Sequence, residues 1–501
     1  MSSAWNRIKT AAASKDEYSR LPLDDEEPTT PSKERTGRIP RACTWATAFI
    51  AITGLVGLWG ASSILTANKS CDTIDDGFRC TPKVSHFWGQ YALWFSVPSD
   101  VHVAPPKGCS ATFANVLSRH GGRDPTAGKS ALYALLIADI HNTAKQYPGQ
   151  FAFLKDYEYT LGADQLTDVG RQEMVNSGAH FFRRYSDLAA SNPPFVRSAG
   201  QDRVIESANK WLVGLAQASK QSTPASISVI IPEGPKWNNT LSHDTCPALE
   251  GGPLRRVGYV AQSTFAGIFI PPIQKRVNGN LGTSLTAGSI ISLMDLCPFS
   301  TVAHPNGKVS PFCDLFTEEE WHEYDYYQSL GKWYGFGTGN PLGATQGVGY
   351  VNELIARLTD SPVKDETNTN TTLNGDSTQF PLGKKVYADF SHDNDMSQVY
   401  AALGLYNNTK ALSNETIEGT ESTNGFSAAW TVPFAGRMYV EKLSCKEEAK
   451  EEYVRIIMND RVMPLEFCGG DSYGRCTLSN FVKSQQFARE GGRWSECFPS
   501  T

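Results

Sequence analysis

Three separate segments of the chain share one plan, and this plan restricts the fold more than any other feature. Each has a short apolar run, then a sudden cluster of charged and small residues, then a helical pattern. The runs and clusters are Thr112–Leu117 before Arg119–Pro125, Pro194–Val196 before Arg197–Gly200, and Val386–Phe390 before Ser391–Asp393. Such strand-then-helix units favour an α/β sheet. Because ligands of open α/β sheets bind beyond the carboxyl ends of the strands, we expect the clusters to form one site.

The remaining pattern divides the body of the chain into two parts. Further strands are predicted at Ile227–Ile231 and Val454–Met458. Residues 239–382 change to mixed helical periodicity with long Gly- and Pro-rich connections, which predicts an inserted, mainly helical subdomain. The larger α/β domain is then assigned to residues 70–238 and 383–501.

The N-terminal region predicts a membrane anchor. Residues 1–41 are polar, mix both charge signs and contain scattered prolines, as a disordered tail does. Residues 42–68 then form a run of 27 positions without a charge, and a bilayer span needs about 20 apolar residues. Basic residues crowd the near side of this run, so the positive-inside rule places the tail in the cytoplasm and the body in an extracellular or lumenal space. The alternative is a cleaved signal peptide and secretion.

The cysteines and glycosylation sequons agree with export. Of eleven cysteines, ten lie beyond the apolar run, and this even number suggests five disulfides. Five N-x-Ser/Thr sequons lie at the end of that run or beyond it, at Asn68, Asn238, Asn370, Asn407 and Asn414. A net charge of -6 and a pI near 5.9 argue against a nucleic-acid partner.

The first cluster carries residue types that hydrolysis of a phosphate monoester requires. That reaction needs cations for the phosphoryl oxygens, a nucleophile, and an acid for the leaving alcohol. Arg119 and Arg123 flank His120, and guanidinium groups match phosphate oxygens in bidentate fashion. Gly121 and Gly122 allow the backbone to approach a ligand closely. Nearby arginines favour neutral His120, whose imidazole then has a lone pair for attack.

The other two clusters supply the remaining groups. We expect Arg197 to add a third guanidinium, His392 to donate a hydrogen bond to the phosphate, and Asp393 to protonate the leaving group. Because aspartic acid has a reference pKa of about 3.9, this role predicts an acidic pH optimum. Each short motif alone is more often an ordinary loop, so the prediction depends on their combination at three strand ends.

These residues also resemble a known family. Arg119–Pro125 is similar to the RHGxRxP signature of the histidine acid phosphatases, and Ser391–Asp393 is similar to their distal HD motif. The resemblance is closer still to the fungal phytase branch and covers Ser70–Thr501. The further matching segments are Cys71–Cys80, Phe195–Ile205, Asn340–Gly343, Gln346–Tyr350 and Phe390–Asn394.

The resemblance implies a fold and a set of roles. It implies a large α/β domain of the histidine-phosphatase type with a smaller mainly helical domain, and no metal or other cofactor. The transmembrane helix predicted from the uncharged run would precede these domains and is a difference from many fungal phytases. His120 would form the transient phosphohistidine and Asp393 would donate the proton. The implied phosphate-binding residues are Arg119, Arg123, Arg197 and His392, and the candidate substrate-pocket residues are Lys129, Lys332, Asp295 and Glu233. The implied disulfides are Cys71–Cys80, Cys109–Cys445, Cys246–Cys497, Cys297–Cys313 and Cys468–Cys476.

Three departures from the family pattern bear on the substrate. Leu132 and Gly331 stand where lysines are expected, and Asp124 stands where an aromatic residue is usual. A less cationic pocket binds the highly anionic inositol hexakisphosphate less well. The leading hypothesis is a membrane-anchored acid phosphatase of the phytase type that hydrolyses phosphate monoesters, phytate or other organic phosphates, with broad specificity. The alternatives are a strict 3-phytase and a catalytically silent phosphate-binding surface protein on the same fold.

Overall fold

The computed structural model describes residues 83–448 and 451–498. The predicted tail at 1–41, the predicted anchor at 42–68 and the implied disulfide Cys71–Cys80 lie outside these residues. Within the described ranges, none of the helices combines the length and apolarity that a membrane crossing needs.

A mixed β-sheet forms the centre of the described protein. Its strands are β1 Cys109–Arg119, β2 Phe195–Ala199, β3 Val229–Ile231, β4 Val386–Ser391, β5 Arg437–Cys445, β6 Glu452–Met458, β7 Arg461–Val462 and β8 Arg475–Thr477. The strand order is β3-β2-β4-β1-β5-β6-β7, and β8 pairs with β6. Strands β3, β2, β4 and β1 are parallel, whereas β5 and β6 add antiparallel pairs beside β1. The predicted α/β fold is therefore confirmed.

The register of the parallel strands brings their carboxyl ends to one edge. Arg119 of β1 lies opposite Ser391 of β4, and Ser198 of β2 lies opposite Phe390 of β4. All residues of β2 and β4 are buried, as expected for strands covered on both faces. The three charged clusters of the sequence therefore emerge side by side.

Helices cover the sheet and fill the long connections between strands. The helices of seven or more residues are α1 Ala127–Thr143, α2 Asp168–Arg184, α3 Asp202–Ser219, α4 Arg256–Leu281, α5 Ala287–Ala303, α6 Glu318–Gly335, α7 Val348–Thr359, α8 Asp393–Ala402 and α9 Leu478–Ser484. One-turn helices lie at Ser186–Ala189, Pro247–Glu250, Gly343–Gln346, Thr371–Asn374, Ala428–Thr431 and Gln486–Arg489. Short 3₁₀ helices lie at Lys83–Phe87, Gly89–Tyr91, Gly149–Lys155, Pro253–Arg255, Pro311–Leu315, Lys446–Glu448, Glu466–Cys468 and Trp494–Cys497.

Helices α2 and α3 pack so closely that their contact requires glycine. A Cβ atom at Gly178 would lie 1.9 Å from the carbonyl oxygen of Trp211, and one at Gly214 would lie 1.8 Å from that of Val175. The Trp211 ring in turn packs against Phe390 of β4, with 5.7 Å between the ring centroids. This contact fixes the helix pair against the strands that lead into the site.

Residues 239–382 contain helices α4 to α7 and no strand. Their apolar side chains join the same buried cluster as those of the sheet. The ring of Phe299 in α5, for example, lies 6.4 Å from that of Phe434, which precedes β5. The division into two domains at 239 and 382 stays a prediction.

Four of the five implied disulfides are confirmed. They are Cys109–Cys445, Cys246–Cys497, Cys297–Cys313 and Cys468–Cys476. The first joins the start of β1 to the end of β5, at the end of these strands opposite the charged clusters. Disulfides are typical of exported proteins.

Candidate active site

His120 follows β1 directly and is held at the edge of the sheet by backbone hydrogen bonds. Its N–H donates to the carbonyl oxygen of Ser391 at 3.2 Å, and its carbonyl oxygen accepts from the N–H of Ala435 at 2.9 Å. The residue is 1% exposed. Its imidazole therefore has a fixed position between the ends of β1 and β4 and the turn before β5.

The hydrogen bond of the His120 ring determines which nitrogen carries the proton. Nδ1 lies 2.8 Å from the carbonyl oxygen of Gly121, and a carbonyl oxygen only accepts, so Nδ1 is the donor. Burial, together with the charges of Arg119, Arg203 and Arg123, lowers the pKa of His120 well below its usual value. The imidazole is therefore neutral, and its lone pair is on Nε2.

Arg119 is completely buried beside His120. One guanidinium nitrogen donates to the carbonyl oxygens of Gln90 and, at 2.8 Å, of Val432. The other terminal nitrogen lies 3.3 Å from Oδ2 of Asp393. The guanidinium also stacks over the Phe434 ring at 4.6 Å. These contacts fix its orientation before any ligand arrives.

The loop that carries Arg123 takes its shape from α2. A Cβ atom at Gly121 would lie 2.3 Å from the carbonyl oxygen of Gly170, so only glycine permits this approach. The Glu173 carboxylate accepts from the N–H of Gly122 at 2.9 Å and from that of Trp94 at 3.0 Å. Arg123 itself is buried and donates to the carbonyl oxygen of Asp124 at 2.8 Å.

Arg197 is occupied by acidic partners inside the sheet. Its Nε donates to Oδ1 of Asp389 at 2.7 Å, and a terminal nitrogen lies 2.8 Å from Oε2 of Glu353. Asp389 also binds Arg357 at 2.5 Å. Although burial opposes it, the two carboxylates raise the pKa of Arg197. Arg197 lies two residues before the end of β2, in a buried ion-pair network.

Arg203 is a candidate that the sequence interpretation missed. It is the second residue of α3, 6% exposed, at the edge where β2 ends. Its charge is among the causes that lower the pKa values of His120 and Glu233. The sequence did contain one indication of this role. A helix that follows a parallel strand begins at the carboxyl end of that strand, so a residue in its first turn lies near the ligand site.

His392 and Glu233 form a pair next to His120. Nε2 of His392 lies 3.1 and 3.2 Å from the two Glu233 oxygens, and its ring centroid lies 5.6 Å from that of His120. Glu233 also accepts from the N–H of Gln201 at 2.9 Å. Burial raises the pKa of Glu233, but His392 and the Gln201 N–H outweigh it and leave a lowered value. Glu233 therefore orients the His392 ring.

Asp393 begins α8 and lies between two cations. Its Oδ2 is 2.8 Å from Nζ of Lys332 and 3.3 Å from Arg119. Burial alone raises its pKa, but the charges of Arg119 and Lys332 hold the pKa of Asp393 well below its usual value. Lys332 also donates to Oδ1 of Asn394 at 2.7 Å. Sequence reasoning assigned Lys332 to the substrate pocket and missed its contact with Asp393.

Lys129 and Asp295, two candidate substrate-pocket residues, form a buried pair. Nζ of Lys129 donates to the Tyr91 hydroxyl at 2.7 Å and lies 3.4 Å from Oδ2 of Asp295. Asp295 also accepts from the hydroxyls of Tyr133, at 2.6 Å, and Tyr324. Burial and the Asp295 charge raise the pKa values of both tyrosines well above the usual range. The pocket roles of Lys129 and Asp295 stay predictions.

The residues that depart from the family pattern lie outside this contact network. Leu132 is 45% exposed on α1. Gly331 lies in α6, where an added Cβ would meet the Gln262 amide at 2.6 Å. Oδ1 of Asp124 accepts from the N–H of Gly162 at 3.2 Å, and burial raises the pKa of Asp124. None of these side chains takes part in the contacts given above for His120 or Asp393.

Comparisons with known proteins show the family of this chain. The family model described as Histidine phosphatase superfamily (branch 2) matches residues 112–459. Phytase A of Emericella nidulans is 49% identical over 442 residues, covering 86% of this chain and 94% of that protein. Phytase A of Aspergillus fumigatus is 48% identical over 456 residues, covering 89% and 97%.

Solved structures show the same fold. The phytase from D. castellii aligns with a TM-score of 0.69 at 20% identity, over 83% of this chain and 87% of that one. Multiple inositol polyphosphate phosphatase of Bifidobacterium longum, in complex with inositol hexasulfate, aligns with a TM-score of 0.59 at 12% identity, over 81% and 98%. The chain is a phosphatase that belongs to branch 2 of the histidine phosphatase superfamily.

Proposed function

We propose that this phosphatase hydrolyses inositol polyphosphates and other small phosphate monoesters through a phosphohistidine on His120. The observation that carries the proposal is the Nδ1 contact with the Gly121 carbonyl oxygen at 2.8 Å, which leaves the lone pair on Nε2. The buried guanidinium groups of Arg119, Arg123 and Arg203 act electrostatically on the His120 ring and favour a phosphate ester as its target. A neutral, oriented imidazole is the form that attacks phosphorus.

The proposed phosphate-binding residues are Arg119, Arg123, Arg203 and His392. Arg203 replaces Arg197 in this set, because Arg197 is held by Asp389 and Glu353, whereas the Arg203 charge acts on His120. Guanidinium groups stabilise the charge that spreads over the phosphoryl oxygens in the transition state. His392, oriented by Glu233, contributes a further hydrogen bond.

In the first step, Nε2 of His120 attacks phosphorus and the ester P–O bond breaks. The leaving alcohol oxygen takes the proton of the Asp393 carboxylic acid. In the second step, a water molecule attacks phosphorus and gives its proton to the Asp393 carboxylate, while the P–N bond breaks. Inorganic phosphate and neutral His120 are released, so Asp393 is acid and then base.

This role requires Asp393 to gain a proton that the ligand-free site disfavours. Arg119 and Lys332 hold the pKa of Asp393 down against the effect of burial. A bound phosphate dianion shares the Arg119 guanidinium and adds a negative charge nearby, and both changes raise the pKa of the carboxyl. Substrate binding therefore prepares the acid, which supports an acidic pH optimum.

The relatives named Phytase A support inositol hexakisphosphate as one substrate. Leu132 and Gly331 reduce the positive charge that a strict 3-phytase would use to bind this highly anionic ester. We therefore favour broad monoester specificity over strict phytase activity. A silent phosphate-binding protein requires neither a neutral His120 nor a carboxyl at Asp393.

The test measures phosphate release by the full chain from inositol hexakisphosphate and from an aryl phosphate across acidic pH. His120→Ala is compared with His322→Ala, a control at an exposed histidine of α6. We expect the His120 variant to lose at least about a thousandfold in kcat on both substrates, since the nucleophile is gone. Full activity of that variant would exclude the mechanism, and activity on the aryl ester alone would exclude inositol phosphates.

We further propose that residues 42–68 anchor the protein with its catalytic body outside the cytosol. The uncharged run of 27 residues and the four disulfides support this placement. Alkaline carbonate extraction of membranes that contain the full chain provides the test, with a variant lacking residues 42–68 as the control. Release of the full chain into the supernatant would instead favour the secreted alternative.

A further inference from the structure

Glu173 has a buried carboxyl group that the proposed reaction does not use. The residue lies in the second turn of α2 and is 5% exposed. Each of its two oxygens accepts from a different backbone N–H: Oε2 from that of Gly122 at 2.9 Å, and Oε1 from that of Trp94 at 3.0 Å. These N–H groups belong to two separate segments of the chain. One carboxyl group therefore joins both segments.

Gly122 immediately precedes Arg123, and α2 with its N-cap holds both of its backbone polar groups. The N–H of Gly122 donates to Glu173, while its carbonyl oxygen accepts from the N–H of Thr167 at 3.1 Å and from the Thr167 hydroxyl at 3.2 Å. A Cβ atom at Gly170 would lie 1.9 Å from the same carbonyl oxygen, so the two backbones are in direct contact. Loss of the Glu173 acceptor would leave a buried N–H unpaired in the peptide group next to Arg123.

The segment that ends at Trp94 orients Arg119. The carbonyl oxygen of Gln90 accepts from the Arg119 guanidinium. The carbonyl oxygen of Ala92 accepts from the N–H of Phe434 at 2.9 Å, and the Phe434 ring packs against the same guanidinium at 4.6 Å. The acceptor for the Trp94 N–H therefore also affects the direction in which this guanidinium points.

We propose that Glu173 is a positioning residue that sets the orientations of Arg119 and Arg123 for the phosphoryl group. This inference rests on the proposed phosphate-binding role of these two arginines. Hydrogen bonds weaken steeply when their angle departs from linearity, so guanidinium groups bind phosphate oxygens well only in the right orientation. Glu173 acts through its two N–H contacts and takes no part in bond breaking.

A carboxyl group offers an acceptor to both N–H groups, which an amide of the same shape cannot do. A protonated carboxyl keeps a lone pair on each oxygen, so the arrangement does not depend on the charge of Glu173, whereas the amide nitrogen of Gln only donates. In Glu173→Gln, one of the two N–H groups therefore loses its partner. Trp94 is not free to turn away, because its Nε1 donates to Asn459 at 3.2 Å and its ring stacks 3.7 Å from the Arg437 guanidinium.

The competing explanation is that Glu173 only stabilises the fold. It predicts a lower Tm in Glu173→Gln without any change in the phosphate affinity of the folded protein. The matched control is Phe181→Leu, near the other end of α2. Phe181 is completely buried, and its ring centroid lies 5.1 Å from that of Trp211. This variant loses packing in the same helix but none of the contacts that orient the arginines.

The experiment measures the competitive inhibition constant of inorganic phosphate and the Tm of the detergent-solubilised full chain. We expect the inhibition constant to rise about tenfold in Glu173→Gln and to stay unchanged in Phe181→Leu, although both variants have a lower Tm. Glu173→Gln should also lower kcat/KM by the same factor on an aryl phosphate and on inositol hexakisphosphate, since the leaving group plays no part. Where Glu173→Gln folds poorly, Glu173→Asp replaces it, because the shorter carboxyl group cannot reach both N–H groups.

A double-mutant cycle with Arg123→Met separates positioning from a general effect. In the Arg123→Met background, we expect Glu173→Gln to raise the inhibition constant by only about threefold or less, because one of the side chains that it orients is gone. A full tenfold rise in that background would overturn the inference. An unchanged inhibition constant in Glu173→Gln would overturn it as well, provided that Arg123→Met alone weakens inhibition. If Arg123→Met has no effect on inhibition, the proposed phosphate site fails, and this inference fails with it.

Discussion

Nζ of Lys332 lies 2.8 Å from Oδ2 of Asp393, so a buried ammonium directly contacts the carboxyl proposed to protonate the leaving group. The same oxygen lies 3.3 Å from Arg119, which is proposed to bind the phosphate. The acid and the phosphate-binding cation are therefore coupled electrostatically in the ligand-free protein. This coupling makes the protonation of Asp393 sensitive both to substrate and to Lys332.

Removal of the Lys332 charge should move the pH profile. Because Lys332 lowers the pKa of Asp393, Lys332→Met raises it and keeps the acid protonated to higher pH. We expect the alkaline limb of kcat to shift upward by about one pH unit. Profiles of kcat against pH for parent and variant measure this shift. A shift to lower pH would show that Asp393 is not the group that titrates.

Replacement of the proposed acid should depend on the leaving group. Asp393→Asn cannot protonate an alcohol, so we expect a loss of about 100-fold or more in kcat on inositol hexakisphosphate. An aryl phosphate leaves without full protonation, and we expect a loss of under about tenfold for it. Asp139→Asn, at an exposed site on α1, is the matched control. Equal losses on both esters would contradict the acid role.

Substitution of Arg203 and of Arg197 should affect different properties of the protein, phosphate binding in the first case and stability in the second. Arg203→Met removes a phosphate-binding charge, and we expect inorganic phosphate to inhibit about tenfold more weakly, with a smaller loss in unfolding free energy than for Arg197→Met. Arg197→Met leaves the buried Asp389 and Glu353 without one partner, and we expect a loss of about 3 kcal/mol in unfolding free energy. Phosphate inhibition constants and urea unfolding separate the two. If Arg197→Met instead weakened phosphate inhibition and Arg203→Met caused the larger loss of stability, Arg197 would be the phosphate-binding residue.

Glu173 should make stability depend on pH. Burial raises its pKa from 4.5 to about 7, even though N–H groups of Trp94 and Gly122 oppose the shift. The folded protein then binds more protons than the unfolded chain between these values, so stability falls as pH rises from 4.5 to about 7. This component amounts to about 3 kcal/mol. Urea unfolding at both ends of the window should show it in the parent and not in Glu173→Gln.

Added charge on α1 should change substrate preference without changing the chemistry. Leu132→Lys introduces a cation at the position where the family resemblance leads us to expect a lysine, and the position is 45% exposed. We expect kcat/KM for inositol hexakisphosphate, relative to an aryl phosphate, to rise roughly fivefold, the factor that about 1 kcal/mol of attraction gives. Leu135→Lys, on the same helix and 67% exposed, is the matched control. An equal rise in both variants would indicate a general charge effect.

The parallel strands and their clusters could be predicted because their signals are local. The runs before Arg119 and Ser391 are short, mostly apolar and followed at once by charged and small residues, which favours buried strands over helices. Strand β5 gave no such signal, since it carries Arg437 and Glu441 inside the sheet. These charges are tolerated through distant contacts: Arg437 stacks 3.7 Å from the Trp94 ring, and Glu441 lies 2.6 Å from Arg455.

The candidate site could be predicted only in part from the sequence. Residues next to a motif, such as His120 and Asp393, could be named from the sequence. Arg197 and Arg203 are six positions apart and chemically identical, so only the partners of each distinguish them. Those partners, Glu353 among them, lie far away in the chain. The spacing of residues in the sequence does not show which of the two arginines forms ion pairs with carboxylates.

The close approach of Gly121 to the carbonyl oxygen of Gly170 separates two kinds of evolutionary change. Backbone contact with α2 leaves almost no room for new side chains in the loop after His120. Substitutions in this loop are therefore strongly disfavoured. Exposed positions of α1 such as Leu132 are under no such restriction. Substitutions at such exposed positions could therefore change which phosphate ester is preferred during evolution, while the residues around His120 and their chemistry stay the same.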